Sequence, residues 1–498
     1  MVIKKNIRRI DMIQCLLCKD APCSFACPFM DTEKILRHIW FDNEDVAALS
    51  VPENNPCLRC DAPCEKACVK PSEVPIKKLM EKLACDVRPA AEIEIPTDMD
   101  RLKCDICGVP LENPFLLSSS VVASTYDMCD RAFAAGWAGA CFKTICTLDI
   151  HEASPRFSAL TGDNGNLIGF KNIEQLSDHS VAENMEIFRR LKAKYPTKFI
   201  LASIMGQNEE EWEELARLCE ENGADAIELN FSCPNMQEDG LGSDIGQIPE
   251  LVEKYTKAAK RSTKIPVLAK LTPNVATMSP AAEAALRGGA DGIAAINTIK
   301  SITGVNPLSF VSAPAVKGKS ALGGYSGKAV KPIALRFISE IGQNPKLKGM
   351  HISGMGGIET WRDALEFILL GSGSVQVTTA VMQYGYRIID DLIEGLNYYL
   401  AQMGIQSVKD IIGAGLDSVS DTTDVLERDS ILFPSFDTDK CIGCGRCVIS
   451  CEDGGHQAIR FEGRTPKLDG SKCVGCHLCL LVCPMGAVHP SKKRIQKH

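Results

Sequence analysis

Between Leu116 and Val381, short apolar runs rich in β-branched residues recur, separated by stretches of helical period. The runs are LLSSSVV from Leu116, GACFKTI from Gly139, FILASIM from Phe199 and AIELNFS from Ala226. They continue with PVLAKLT from Pro266, GIAAINTI from Gly292, MHISGM from Met350 and SVQVTTAV from Ser374. Residues 209–222, 249–262, 280–288 and 359–370 carry apolar positions at helical spacing between them. Strand then helix, repeated eight times over, predicts a parallel (β/α)8 TIM barrel in an α/β chain. An open doubly wound sheet is the alternative, but no G-x-G-x-x-G follows an early strand. Ahead of the barrel, 32–49 reads as one amphipathic helix with Ile35, Leu36, Ile39, Trp40 and Val46 on its apolar side.

Composition narrows the class. The 498 residues are 45% hydrophobic and 24% charged, as in ordinary globular proteins. A formal net charge of −8 argues against nucleic acid or an anionic membrane surface as the main partner. There is no run of about 18 apolar residues, so no transmembrane helix is expected. The basic start, with Lys4, Lys5, Arg8 and Arg9, has no apolar stretch behind it and reads as a solvated tail rather than an export signal. The expected compartment is the cytoplasm. Twenty-four cysteines in such a chain point to thiolate metal ligands rather than disulfides.

Their spacing says which metal. Cys441, Cys444, Cys447 and Cys451 stand at C-x2-C-x2-C-x3-C, and Cys473, Cys476, Cys479 and Cys483 repeat it, with Pro484 following. Three thiolates in one loop wrap a [4Fe–4S] cubane, and the fourth cysteine of each run ligates the other cluster. The expected sets are Cys441, Cys444, Cys447 and Cys483, and Cys473, Cys476, Cys479 and Cys451; zinc prefers paired C-x2-C knuckles. Near the N-terminus, Cys15, Cys18, Cys23 and Cys27 form C-x2-C-x4-C-x3-C, and Cys57, Cys60, Cys64 and Cys68 form C-x2-C-x3-C-x3-C. The shared D-A-P-C at Asp20 to Cys23 and Asp61 to Cys64 marks two related cluster-binding turns, with two zinc sites as the alternative. Four clusters are expected in all. The layout is a helical iron–sulfur domain over 1–98, the barrel over 99–405, a linker over 406–430 and a ferredoxin-like 2[4Fe–4S] domain over 431–498.

Barrel enzymes work where strands end, and the strand ends here are polar. They carry Lys143 and Thr144; Asn230, Ser232 and Cys233; Lys270, Thr272 and Asn274; and Asn297 and Thr298. Gly354, Gly356 and Gly357 following the seventh strand, with Thr378 and Thr379 ending the eighth, suit a phosphate, because backbone N–H groups can approach its oxygens. Asn172, Asn230, Asn235, Asn297 and Thr298 offer amides and a hydroxyl to a heterocycle. Lys143 and Lys270 would offset negative charge on a reduced flavin, most simply FMN, or else form structural ion pairs. The loop from Asn230 to Gln247 carries Gly240, Gly242 and Gly246 and reads as a lid. At its root Cys233 is placed to give a proton, a thiol of pKa near 8.5 being able to do so at neutral pH. Cys129, Cys141, Cys146 and Cys219 read as inert buried thiols, and Cys104 with Cys107 as a structural pair.

These phrases resemble a known family. NPFLLSSS, FKTICTLD, NIEQLSDHS, ELNFSCPN, AKLTPN, AINTIKSI, GGYSGKAVKPIA, ISGMGGIET and VQVTTAV match the pyrimidine-reducing half of the dihydropyrimidine dehydrogenases. The match is less close to class 1 dihydroorotate dehydrogenases, and it runs from about Asp100 to Pro484. The resemblance implies reduction of uracil or thymine by FMN, with Cys233 as general acid. It implies Asn172, Glu174, Asn230, Asn297 and Thr298 as pyrimidine-binding groups. It implies Lys143, Lys270, Ser326, Gly327, Gly357, Thr378 and Thr379 as FMN contacts. The N-terminal array resembles the helical iron–sulfur domain of the same family, but the FAD- and NADPH-binding domains that follow there do not follow Cys68 here. Electrons are therefore expected from a separate FAD/NAD(P)H flavoprotein subunit or a ferredoxin, in a homodimer or hetero-oligomer. Where the family uses a glutamine ligand, this chain has Met80 and Glu81. The expected N-terminal sets are thus Cys15, Cys18, Cys23 and Cys68, and Cys27, Cys60, Cys64 with Cys57 or Glu81. The family's SCPH is SCPN here, as in the orotate enzymes. A dihydroorotate dehydrogenase and an electron-relay subunit are the rival readings, and no basic residue in the sequence stands out to receive an orotate carboxylate.

Overall fold

Eight strands close into a barrel in chain order, each parallel to both neighbours. They are β1 (Phe115–Leu117), β2 (Gly139–Cys141), β3 (Phe199–Ile204), β4 (Ala226–Asn230), β5 (Val267–Lys270), β6 (Gly292–Ala295), β7 (His351–Met355) and β8 (Ser374–Val377). The computed structural model describes residues 14–70, 74–84, 94–162, 167–236, 240–420 and 422–496. Strands covered on both faces need apolar residues throughout, and β3 is buried along its whole length. Most strands are shorter than the runs that foretold them. The polar second half of each run leaves the ladder and becomes a loop at the barrel mouth, where its side chains are available for chemistry. Over that mouth lies a four-stranded antiparallel sheet, ordered Ile299–Ser301, Gly323–Ser326, Leu167–Asn172 and Phe157–Thr161.

The single helix expected over 32–49 is two, α1 (Thr32–Trp40) and α2 (Glu44–Leu49). Docking on the barrel's last helix, α3 (Ile388–Gln402), breaks it. Asp42 turns into the left-handed region (φ 63°), and its carbonyl accepts from Trp361 Nε1 at 3.0 Å. Asn43 Nδ2 then donates to the Asp391 carbonyl at 2.7 Å. On α1, Arg37 Nε lies 2.7 Å from Asp391 Oδ2, and His38 sits between Asp391 (3.0 Å) and Glu394 (3.3 Å). Gly395 permits this approach, since a Cβ there would overlap Asn43 Oδ1 and Trp361 Cδ1. Gly395→Ala is expected to cost about 1–3 kcal/mol by overpacking, read as a lowered midpoint in chemical denaturation.

The chain divides into two compact units, 1–419 and 420–498. Residues 408–411 and 416–418, inside the stretch expected to be linker, form turns that fold back on the barrel unit. The Gly413 N–H donates to the Ile368 carbonyl at 2.9 Å and the Gly415 N–H to Leu369 at 2.8 Å. The second unit pairs Ser430–Phe436 with Val488–Gln496 and Ile459–Glu462 with Thr465–Leu468, with helices at Arg446–Gly454 and Leu478–Leu481. Among the described residues its fully buried cluster is Cys447, Ile459, Cys479 and Val488, with Phe436, Val448, Leu468 and Leu480 packed partly buried against it. Half of that fully buried cluster is thiol.

Candidate active site

One open cavity of about 1160 Å³, counted out to solvent, occupies the barrel mouth. Every residue that the sequence singled out for acid, ring or flavin contact lines it: Cys233, Asn172, Glu174, Asn230, Asn235, Asn297 and Thr298, together with Lys143, Thr144, Lys270, Ser326, Gly327, Gly356, Gly357, Thr378 and Thr379. Gly354 does not; it stays within β7.

Both lysines have carboxylate partners. Lys270 Nζ lies 3.1 Å from Glu228 Oε1, with both side chains buried, and Glu228 Oε2 accepts from Gln376 Nε2 at 3.1 Å. Lys143 Nζ lies 3.1 Å from Glu152 Oε1, which also accepts from the Gln175 N–H at 3.0 Å. The ion-pair reading therefore holds for each lysine, and each still lines the cavity. Sequence reasoning missed Glu152, Glu228 and Gln376. For the last two the signal was there: a polar side chain in the middle of an apolar strand run.

The amides brace one another. Asn230 Nδ2 donates to Thr144 Oγ1 (2.8 Å), Asn297 Nδ2 to Ser232 Oγ (2.8 Å) and Asn235 Nδ2 to both Asn172 Oδ1 (3.1 Å) and the Glu174 carbonyl (2.7 Å). One acceptor is left over: Asn235 Oδ1 is buried without a hydrogen-bond donor, while Glu174 Oε1 is met only by the Arg156 guanidinium. An orphaned acceptor in a polar cavity suits a ligand that brings N–H groups. Burial raises the Glu174 carboxyl while Lys143 and Arg156 lower it, and Arg156 Nε stands 3.3 Å from Glu174 Oε1. Arg156 is thus a cation beside the site that the sequence did not reveal.

Also in the lining, Gly327, Gly356 and Gly357 all have left-handed φ (91°, 126° and 79°). A Cβ on Gly357 would come within 2.8 Å of the Gly327 carbonyl oxygen and 2.9 Å of Lys331 N. Only glycine fits a cradle this tight. Hydroxyls surround it: Thr379 Oγ1 donates to Ser326 Oγ at 2.9 Å, and Ser120 Oγ lies 3.0 Å from Thr378 Oγ1. Exposed backbone and hydroxyls are the donor set of a phosphate site, so the residues fit the phosphate of FMN.

Cys233 is buried, and its thiol is pushed up to about 11, chiefly by burial, with the Asn235 backbone N–H opposing. It is held as S–H rather than thiolate at neutral pH, further from neutrality than a free thiol. The loop behind it packs closely: Ser243 N–H donates to the Cys233 carbonyl at 2.9 Å, and a short helix, Ser243–Gly246, follows. Residues 237–239 of the expected lid lie outside the described residues.

The cysteine arrays gather in quartets. Cys441, Cys444, Cys447 and Cys483 surround one small cavity, and Cys451, Cys473, Cys476 and Cys479 another. Matching backbone donors serve the crossing sulfurs, Ala458 N–H to Cys451 Sγ at 3.3 Å and Ala487 N–H to Cys483 Sγ at 3.2 Å. In the first unit Cys15, Cys18, Cys23 and Cys68 line a third cavity. Cys57 is raised to about 11 by burial and by its neighbours Cys64, Cys27 and Cys60, with Glu81 contributing least. Thiols ringing a space, with N–H groups aimed at sulfur, are the donor set that an iron–sulfur cluster requires.

Residues 101–400 match the family described as dihydroorotate dehydrogenase, and 435–489 match the 4Fe–4S dicluster domain. The chain is 52% identical over 398 residues to the NAD-dependent dihydropyrimidine dehydrogenase subunit PreA of Escherichia coli K12, covering 80% of this chain and 97% of that one. It is 38% identical over 340 residues to the chloroplastic dihydropyrimidine dehydrogenase (NADP(+)) of Arabidopsis thaliana, covering 66% and 80% respectively. With the catalytic subunit of dihydroorotate dehydrogenase B (NAD(+)) from Pyrococcus abyssi it shares 37% over 319 residues, covering 63% and 99%. The dicluster match sets zinc aside for the C-terminal quartets. Barrel, mouth and cysteine-ringed cavities agree with these likenesses, and the chain belongs to the dihydroorotate dehydrogenase family, as an iron–sulfur oxidoreductase of its dihydropyrimidine dehydrogenase branch.

Proposed function

We propose that the chain reduces the C5–C6 double bond of uracil or thymine, with Cys233 giving the proton to C5. The observation that carries this is the orphaned buried acceptor Asn235 Oδ1, lining with the Glu174 carboxylate the same cavity as a protonated thiol. A pyrimidine base brings two ring N–H donors, and the braced asparagines fix its orientation. Bound FMN supplies the hydride for C6. Lys143 and Lys270 offset negative charge at the flavin, and the cradle of Gly327, Gly356 and Gly357 takes its phosphate with Ser326, Thr378 and Thr379. Cys57 completes a set with Cys27, Cys60 and Cys64, so that four [4Fe–4S] clusters carry electrons. These come from a separate flavoprotein subunit or ferredoxin, in the cytoplasm; the word "subunit" in the bacterial relative's name supports a partner. Among the described residues no helix is long and apolar enough to cross a membrane.

Arg156 is matched by Glu174, so an orotate carboxylate finds its cation already paired. Chemically reduced enzyme is therefore expected to be reoxidised by uracil and thymine but not by orotate. Reoxidation by orotate alone would assign the site to the orotate reaction instead. The pH dependence follows from the thiol. Cys233 acts in its protonated form, so reoxidation by uracil stays flat through neutral pH and falls as pH rises through about 11. A fall centred near the 8.5 of a free thiol would show that burial does not hold the proton.

A further inference from the structure

Arg387, a barrel residue outside the cavity, reaches across to the first cysteine loop. Its Nη1 donates to the Cys18 carbonyl at 3.2 Å, and its Nη2 donates to the Leu17 carbonyl. Nε is fixed by the Tyr384 carbonyl at 3.2 Å, and Nη1 lies 3.0 Å from Glu33 Oε1. Glu33 lines the same small cavity as Cys15, Cys18, Cys23 and Cys68. The loop so held is strained: Leu17 has φ 49°, a conformation that residues with a Cβ avoid.

We propose that Arg387 is the positioning residue that sets the reduction potential of the cluster held by Cys15, Cys18, Cys23 and Cys68. The inference rests on the reading of those four cysteines as cluster ligands. Reduction adds one negative charge to a cluster. A nearby guanidinium favours the reduced form. Arg387 supplies that charge, with its guanidinium hydrogen-bonded to the Leu17 and Cys18 carbonyls inside the ligand loop. With side-chain exposures of 30% for Arg387 and 13% for Glu33, solvent screens these charges only in part.

The test is potentiometric titration of purified holoenzyme followed by electron paramagnetic resonance. Arg387→Gln is expected to lower one midpoint by about tenfold in the one-electron equilibrium, roughly 59 mV, with iron content and the other midpoints unchanged. Arg387→Lys keeps the charge and shifts it less. Glu33→Gln removes a negative charge and shifts the same midpoint upward, which covers the case in which Arg387→Gln does not assemble. Normal iron content with unmoved midpoints in the Arg387 and Glu33 variants would overturn the role of Arg387 alone. Absence of any N-terminal cluster signal from wild-type protein would overturn the ligand reading, and this inference with it.

Discussion

Alanine in place of Cys233 is expected to slow uracil-dependent reoxidation of the reduced enzyme by about 10²- to 10⁴-fold, the range a positioned general acid contributes. Iron and flavin content should stay at wild-type values, because the side chain is small and lies at a loop root rather than in the cradle or the quartets. Cys146 provides the control. It is a second buried thiol near Cys233, it too is pushed up to about 11, chiefly by burial, and it does not line the cavity. Cys146→Ala should leave the rate within about twofold of wild type, no general acid being lost. Near-normal turnover by Cys233→Ala, measured in a stopped-flow mixer with fully loaded enzyme, would remove the thiol from the mechanism.

The second large effect belongs to Lys270. Lys270→Met leaves Glu228, whose side chain is fully buried, with neutral partners alone, Gln376 Nε2 at 3.1 Å and the Cys141 thiol. Breaking a buried pair from one side costs about 3–5 kcal/mol, because the abandoned charge stays out of water. Removing both charges together costs far less. The double variant Lys270→Met, Glu228→Gln should therefore recover most of the lost stability in chemical denaturation while remaining deficient in flavin-dependent turnover. That contrast separates the two roles open to this lysine. Recovery of turnover along with stability would leave Lys270 as a purely structural group.

The barrel was legible because parallel strands buried on both faces write themselves as apolar runs, and because polar residues at their ends have few other reasons to recur. The mouth residues followed from the same logic, since the strand ends converge on one place in a closed barrel. What stayed hidden depended on distant partners. Arg37 meets Asp391 across 354 positions of chain, and nothing local in 32–49 says that a helix must break to allow it. Glu152 lies in a loop with no period to mark it, so its pairing with Lys143 appears only in three dimensions. Arg156 was passed over for the same reason. The carboxylate that matches it, Glu174, was noticed only as part of a motif.

The second unit has its own consequence. Its buried cluster is two cysteines, one isoleucine and one valine, joined by the small Ala458 and Ala487 and by the partly buried Phe436, Val448, Leu468 and Leu480. So few apolar groups cannot offset the entropy of ordering such a chain, so whatever fills the two cysteine-lined spaces must supply most of the driving force. Under iron starvation the newly made protein should therefore carry a tail open to proteases beside a barrel that is already closed, and metal supply would govern how long it survives.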